Sequence, residues 1–291
     1  MKKQMALYKI MMVASMLIVG SIGIFVENIP LPRSAIAFSR AFIGTIVILP
    51  AFLLKSKSFK LDAMKKNLLP LLLSGIALGF NWMFLFEAYN YTSVQVATLC
   101  YYMAPVFVII VSPLFLKEKL TPVSIICTIG AVLGAVLISG VFGGGNVSMT
   151  GITLGLIAAM LYASIIILNK KISDISGIER TFFQLLISAV VMFIYVIITE
   201  DVSLFSLDAN QGFLLVILGV VHTGIVYILF FTAVSKLSAQ TASILSYIDP
   251  VAAIVLSSIF LDEKMTLIQI AGMVLIIGFA MFNEIIHNKK A

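Results

Sequence analysis

The run SYIDPVAAIVLSSIFLDEK, Ser246 to Lys264, sets an aspartate directly before a proline inside an otherwise apolar stretch. Asp249 supplies a titratable carboxylate. Pro250 supplies a helix break, because proline has no N–H to donate and its ring clashes with the carbonyl one turn earlier. His222 is a second ionisable side chain in the middle of an apolar run. In a soluble core, Asp249 is a turn residue and no chemistry follows. In a membrane span it costs at least about 2.5 kcal/mol, and such residues face the bundle interior or a water-filled path. The chemistry on offer there is proton exchange and polar contact with a solute.

Composition decides between the two settings. The chain of 291 residues is 61% hydrophobic and only 11% charged, with a mean hydropathy of +1.15. Soluble domains carry roughly 25% charged residues, so this is a polytopic membrane protein. Its apolar runs are roughly 18 to 24 residues long, the length a helix needs to cross ~30 Å of hydrocarbon. Ten spans are expected, at about 8–27, 34–54, 67–90, 93–116, 120–140, 150–169, 180–199, 210–233, 238–261 and 265–285. The first follows Met1-Lys2-Lys3, but it lacks an Ala-x-Ala site and reads as a retained helix. Cys100 and Cys127 both fall inside apolar runs, where packed thiols rather than a disulfide or metal site are expected.

The basic residues orient the spans. With the N-terminus in the cytoplasm, sixteen of the nineteen Lys and Arg residues fall inside, Arg33 and Lys264 fall outside, and Arg40 lies within a span. Glu200, Asp201 and Asp208 share a loop without a basic residue, which lies outside. Both termini are therefore expected in the cytoplasm, and the net charge of +6 follows from this orientation rather than from a nucleic-acid surface.

Residues 91–121 and 236–266 align without a gap at an offset of 145. The match pairs Ser93 with Ser238, Gln95 with Gln240, Tyr102 with Tyr247, Pro105 with Pro250, Glu118 with Glu263, Lys119 with Lys264 and Thr121 with Thr266. The chain reads as a duplication, with halves at 1–142 and 150–291 joined by a Gly-rich linker at 143–149. Five helices per half is an odd number, so the second half enters the membrane from the opposite side. Inverted repeats of this kind mark secondary transporters, whose substrate sites lie near the midplane between the halves.

Two five-helix halves, each with a proline-broken fourth helix, a Glu-Lys-(Leu/Met)-Thr turn and a glycine-containing fifth helix (Gly130 and Gly134; Gly272 and Gly278), resemble the EamA-type branch of the drug/metabolite transporter superfamily. The resemblance covers essentially the whole chain. It implies an all-α integral membrane fold, a small-molecule cargo, the lipid bilayer as surroundings, and a central cavity among spans one, three, four, six, eight and nine. The family's first and sixth helices often carry a tryptophan near a small residue, whereas this chain has Val19-Gly20 and Tyr162-Ala163 there.

Candidate substrate contacts follow from polarity at the midplane. Pro105 and Pro250 free the carbonyls of Tyr101 and Ser246, which then face either a cavity or a neighbouring helix; their duplication favours the cavity. Asn81 lies one turn after Ala77, the repeat equivalent of His222, and so shares its face. Trp82, Tyr102, Tyr162, Tyr227 and Tyr247 are candidate aromatic walls or, equally, packing residues. Arg40 and Glu87 form either an outer gate or a structural ion pair. Gly75-x-x-x-Gly79 and its like are expected to pack helices rather than to drive oligomerisation, and the protein is expected to act as a monomer.

The chain has no P-loop, zinc spacing or nucleophile elbow, so neither an enzyme nor a cofactor is expected. The reading is a secondary active transporter in the plasma (inner) membrane, exporting amino acids or related small metabolites against protons. An uptake permease of the same fold and a non-transporting sensor or assembly protein are the alternatives. Single-cysteine labelling in a background lacking Cys100 and Cys127 is expected to find positions 60 and 171 cytoplasmic and 146 and 208 outside. Labelling of position 146 from the inside alone would overturn the inverted repeat.

Overall fold

The computed structural model describes residues 2–55, 61–139, 148–201, 206–260 and 266–290, and among these there is no strand. Lys57, Lys60, Asn146, most of the glycine linker and Asp262-Glu263-Lys264 lie outside the described residues. The helices are α1 (Lys2–Gly20), α2 (Ile22–Val26), α3 (Arg33–Lys55), α4 (Leu61–Tyr91), α5 (Val94–Tyr101), α6 (Ala104–Leu116), α7 (Pro122–Ile138), α8 (Met149–Lys171), α9 (Gly177–Thr199), α10 (Ala209–Gly219), α11 (Val226–Lys236), α12 (Ala239–Ser246), α13 (Ile248–Phe260) and α14 (Leu267–Lys290). A π-helical turn, Val220–Ile225, joins α10 to α11.

Eight spans among the described residues are long and apolar enough to cross a bilayer. Two shorter apolar stretches, Pro122–Ile138 and Leu267–Asn283, occupy the fifth and tenth positions of the sequence reading. At 1.5 Å per residue each is about 25 Å long, shorter than the other eight, although α14 itself continues to Lys290, and the two lie against each other.

Polarity runs from outside to inside, opposite to a soluble protein. Val190, Phe193, Ile194 and Ile197 of α9 are exposed, whereas Gln184 and Ser188 of the same helix are fully buried. Gln184 donates to Ser74 of α4. With hydrocarbon as the solvent, the apolar face belongs outside and each buried donor needs a protein partner.

Helix ends follow the local sequence. Ser93 and Ser238 cap α5 and α12 with near-identical backbone angles (φ −63°, ψ 150° and 152°), each accepting a first-turn N–H. Ser176 with Glu179, and Asp208 with Gln211, form reciprocal capping boxes at α9 and α10. Lys117 ends α6 in the left-handed region at φ 55°. The turn it makes delivers Glu118, whose carboxylate accepts from Ala239 N at 3.0 and 3.2 Å. Gln240 Nε2 donates to the Lys119 carbonyl at 3.1 Å. A carboxylate at a helix N-terminus satisfies orphan donors and complements the dipole, so the end of α6 is tied to the start of α12.

Arg180 performs the converse task at the C-terminus of α8. It is buried, and its Nη atoms donate to the carbonyls of Asn169, Ile172 and Phe231 at 3.0 to 3.3 Å. Glu118, Lys170 and Arg180 thus gather at one end of the bundle. At the other end Tyr195 Oη donates to Glu87 at 3.0 Å, and Ser34 donates to Glu200.

Packing pairs α3 with α9, α7 with α14, α4 with α8, and α1 with α11 and α13. The α7–α14 crossing rests on two glycines. A Cβ at Gly134 would lie 2.7 Å from the Gly272 carbonyl oxygen, and one at Gly272 would lie 2.6 Å from the Gly134 carbonyl oxygen. Gly134→Leu is expected to push α14 off α7 and destabilise the protein by about 1–3 kcal/mol, read as a lower apparent Tm in detergent. An unchanged Tm would show that this crossing does not hold the two helices together.

Candidate functional site

Two helix breaks set the centre of the molecule. α5 ends at Tyr101 and α6 begins at Ala104, with Pro105 in its first turn; α12 ends at Ser246 and α13 begins at Ile248, with Asp249 and Pro250 in its first turn. The C-cap residues Tyr102 and Tyr247 have matching angles, φ −68° and ψ −3° against φ −69° and ψ −4°. Among the described residues, no backbone N–H reaches the Tyr101 or Ser246 carbonyl across either break. The expected loss of helical partners at these two carbonyls is therefore present, and for the stated reason.

The freed carbonyl of Tyr102 is treated differently. Val106 N bonds to Met103 O at 3.0 Å instead, and Tyr247 Oη donates to Tyr102 O at 2.9 Å. Tyr247 is only 1% exposed. The expectation that Tyr247 lines a cavity therefore fails: the side chain is a strut between the two breaks. Its repeat equivalent Tyr102 is half-buried and lies within electrostatic reach of Asp249.

Near Asp249 five aromatic side chains form a connected open ring. Trp82 and Tyr227 meet edge to face at 6.0 Å, Tyr227 and Phe230 at 6.3 Å, Phe230 and Tyr162 at 6.0 Å, and Tyr162 and Tyr101 at 5.6 Å. Tyr101 Oη donates to Asn81 Oδ1 at 3.4 Å, and Asn81 Nδ2 donates to the Ala158 carbonyl at 2.7 Å. Asn81 is buried behind the ring and aims Tyr101. Tyr162 is hydrogen-bonded to Ser246, whose hydroxyl also donates to Ala242 O at 2.9 Å. Tyr101, Tyr102, Tyr162 and Tyr227 are only half-buried although they sit mid-bundle, so they border a chamber. The Asp249 carboxylate acts electrostatically on all four and on Tyr89. No hydrogen-bonding partner to its oxygens is present among the described residues.

Close approach of α1 completes this wall. A Cβ at Gly20 would lie 2.8 Å from the Asp249 carbonyl oxygen and 2.6 Å from Ala252 Cβ, so glycine alone lets α1 reach the start of α13. Beside that contact, α1, α12, α13 and α14 flank a partly open pocket of about 790 Å³. Its lining, including Val13, Leu17, Ile248 and Val251, is apolar apart from Ser21, and it is separate in character from the tyrosine chamber.

His222 and Arg40 are placed by the π-helical turn. His222 is 2% exposed; its Nε2 lies 2.8 Å from Ser21 Oγ and its ring packs edge-on against Phe25 at 4.7 Å. It belongs to the α1–α2 contact, not to the tyrosine ring. Thr223 Oγ1 donates to the Leu218 carbonyl five residues back at 3.0 Å and accepts from Arg40 Nε at 3.2 Å. The Arg40 guanidinium lies over Trp82, 5.5 Å from the ring centroid. Sequence position suggests an Arg40–Glu87 gate; the structure does not form it, because Glu87 is engaged by Tyr195 and Asn90. Arg40 instead joins the chamber, and the π turn that brings it there leaves no mark in hydrophobic periodicity.

The whole is a multi-pass helical membrane protein with a polar aromatic chamber between broken helices, the architecture of a small-molecule transporter. Residues 7–140 and 149–283 each match the model of the EamA-like transporter family, and the chain belongs to that family, within the drug/metabolite transporter superfamily. It is 36% identical over 280 residues to the uncharacterized transporter YxxF of Bacillus subtilis (strain 168), covering 94% of this chain and 88% of that one. An uncharacterized transporter of Clostridium kluyveri is 28% identical over 258 residues, covering 86% and 82%. A solved crystal structure superposes with a TM-score of 0.84 over 96% of this chain and 98% of its own, at 17% identity, and shares the fold.

Tyr247→Phe is expected to leave the Tyr102 carbonyl buried without a donor, at about 1–3 kcal/mol, and to lower the apparent Tm. Tyr102→Phe, its half-buried repeat equivalent, is expected to leave it nearly unchanged. Equal losses for the two would remove the distinction between strut and wall.

Proposed function

We propose that the protein is a secondary active transporter of the plasma membrane that exports amino acids or related small metabolites in exchange for protons, acting as a monomer. The observation that carries this reading is Asp249. Among the described residues it is a carboxylate without a hydrogen-bonding partner, at a helix break near the middle of the span Ala239–Phe260, beside half-buried tyrosines. An ionisable group kept in a span at such cost has a functional partner in the solute or the proton.

Alternating access needs two equivalent gates, and an inverted repeat of ten spans with both termini in the cytoplasm supplies them. Three features support that topology. The family match falls once in each half. The Ser93 and Ser238 caps and the Tyr102 and Tyr247 breaks share their backbone geometry. The pairings of α3 with α9 and of α7 with α14 join second to second and fifth to fifth helices, as a twofold between halves requires. The end that gathers Glu118, Lys170 and Arg180 is then the cytoplasmic one, and the Glu118–Ala239 contact is a closed inner latch.

In the cycle, solute enters the tyrosine chamber from one side while Asp249 exchanges its proton with the other. Asp249→Asn keeps size and hydrogen bonding but fixes the neutral form. In proteoliposomes it is expected to retain solute exchange while losing proton-driven accumulation. Wild-type accumulation with an unchanged pH profile would make Asp249 structural and leave His222 as the next proton-carrying candidate.

A further inference from the structure

Arg40 is a buried cation that the fold does not neutralise. It is 8% exposed and stands about 10 Å inside the span that begins at Arg33. A guanidinium offers five N–H donors. Only Nε is used, by Thr223. Among the described residues neither Nη has a hydrogen-bonding partner and no carboxylate pairs with the group. Arg180 is the contrast within the same chain: its Nη atoms are satisfied by three carbonyls. A structural arginine in a membrane looks like Arg180.

The surroundings hold Arg40 in one orientation. Gly44, one turn further along α3, lets the helix approach the π-helical turn, where a Cβ would meet Thr223 Cγ2 at 3.1 Å. Thr223 fixes Nε from one edge, and Trp82 lies beneath the plane of charge at 5.5 Å. The two Nη atoms therefore form the free edge of the fork, the edge that receives a planar oxyanion in two parallel hydrogen bonds. The same guanidinium acts electrostatically on Tyr227, one of the chamber's tyrosines.

We propose that Arg40 is the anchor for a carboxylate on the transported solute, so that the cargo is a carboxylic or amino acid bound with its carboxylate toward Trp82. This rests on the reading of the tyrosine chamber as the solute path. One fixed cation, with the Asp249 carboxylate acting on the same Tyr227, suits a monoanion or a zwitterion. A phosphate dianion needs more positive charge than the chamber supplies.

Trp82 is the chain's single tryptophan, so its fluorescence reports on Arg40 directly. Purified protein is titrated, without any proton gradient, with amino acids, aliphatic monocarboxylates, the amides of both sets, and inorganic phosphate. The free acids are expected to change Trp82 emission and raise the apparent Tm, with the amides and phosphate silent. Arg40→Gln is expected to weaken the response about 10- to 100-fold, Arg40→Lys to retain part of it, and Thr223→Val to weaken it less than Arg40→Gln. A stable, monodisperse Arg40→Gln with an unchanged or higher Tm supports a ligand role, because an unpaired buried charge is a burden without its ligand; a large loss of Tm makes Arg40 structural and overturns the proposal. Equal responses to acids and amides, a response to phosphate, a wild type silent toward every acid, or an Arg40→Gln that binds like wild type also overturn it. Acids that bind through Arg40 but are never moved in proteoliposomes sink the transport reading and leave the anchor standing. Transport indifferent to Arg40→Gln does the reverse.

Discussion

A backbone carbonyl inside a bilayer has no water to bond with, and leaving it bare costs several kcal/mol. The architecture of this chain is organised by where it accepts such interruptions. Among the described residues there are four: the turn at Ser21 between α1 and α2, the breaks at Tyr102–Met103 and at Tyr247, and the π-helical turn at Val220–Ile225. At two of them a side chain takes up a freed carbonyl. The Tyr102 carbonyl is taken by Tyr247 Oη, and the Leu218 carbonyl by Thr223 Oγ1. The carbonyls of Tyr101 and Ser246 are not taken by the backbone, and both border the aromatic ring. Interrupted helix and polar chamber are thus the same feature seen from two sides.

Much of this was legible before any coordinates. Pro105 and Pro250 announce the breaks because a missing N–H and a ring clash act locally, whatever the tertiary context. Hydrophobic run length gives the spans for a similar reason, since bilayer thickness is an external ruler. α7, at 17 residues, falls below that ruler, and it pairs with α14 through Gly134 and Gly272. The candidate site was less legible. Alignment made Tyr102 and Tyr247 equivalent, yet one faces Asp249 and the other is locked as a strut. Sequence symmetry assigns the same backbone to both, but not the same neighbour. Arg40 was read by its distance from the span's end, and the π turn that recruits it through Thr223 is a local change of helical register with no compositional signature.

Glu118 shows a third kind of limit. It stood out in the repeat as part of a turn motif, but its partner is the first N–H of α12, more than a hundred residues away. Backbone donors are the same at every position, so only the fold reveals which helix start a given carboxylate reaches. The motif then acquires a physical reading: the left-handed Lys117 turns the chain so that Glu118 caps a helix of the other half.

The charges give the last step. Asp249 has Ala104 as its repeat equivalent and His222 has Ala77, so charge sits on a symmetric frame asymmetrically. Had Arg40 and Asp249 been neighbours they would neutralise each other, and a buried pair of that kind is often no better than an apolar one. They are kept apart instead, each acting on Tyr227 from its own side and neither paired with the other among the described residues. An interior that maintains a separated cation and anion in low dielectric is unstable toward anything that brings the opposite sign to either. In the transport cycle proposed above, solute and proton are the two mobile species that do so.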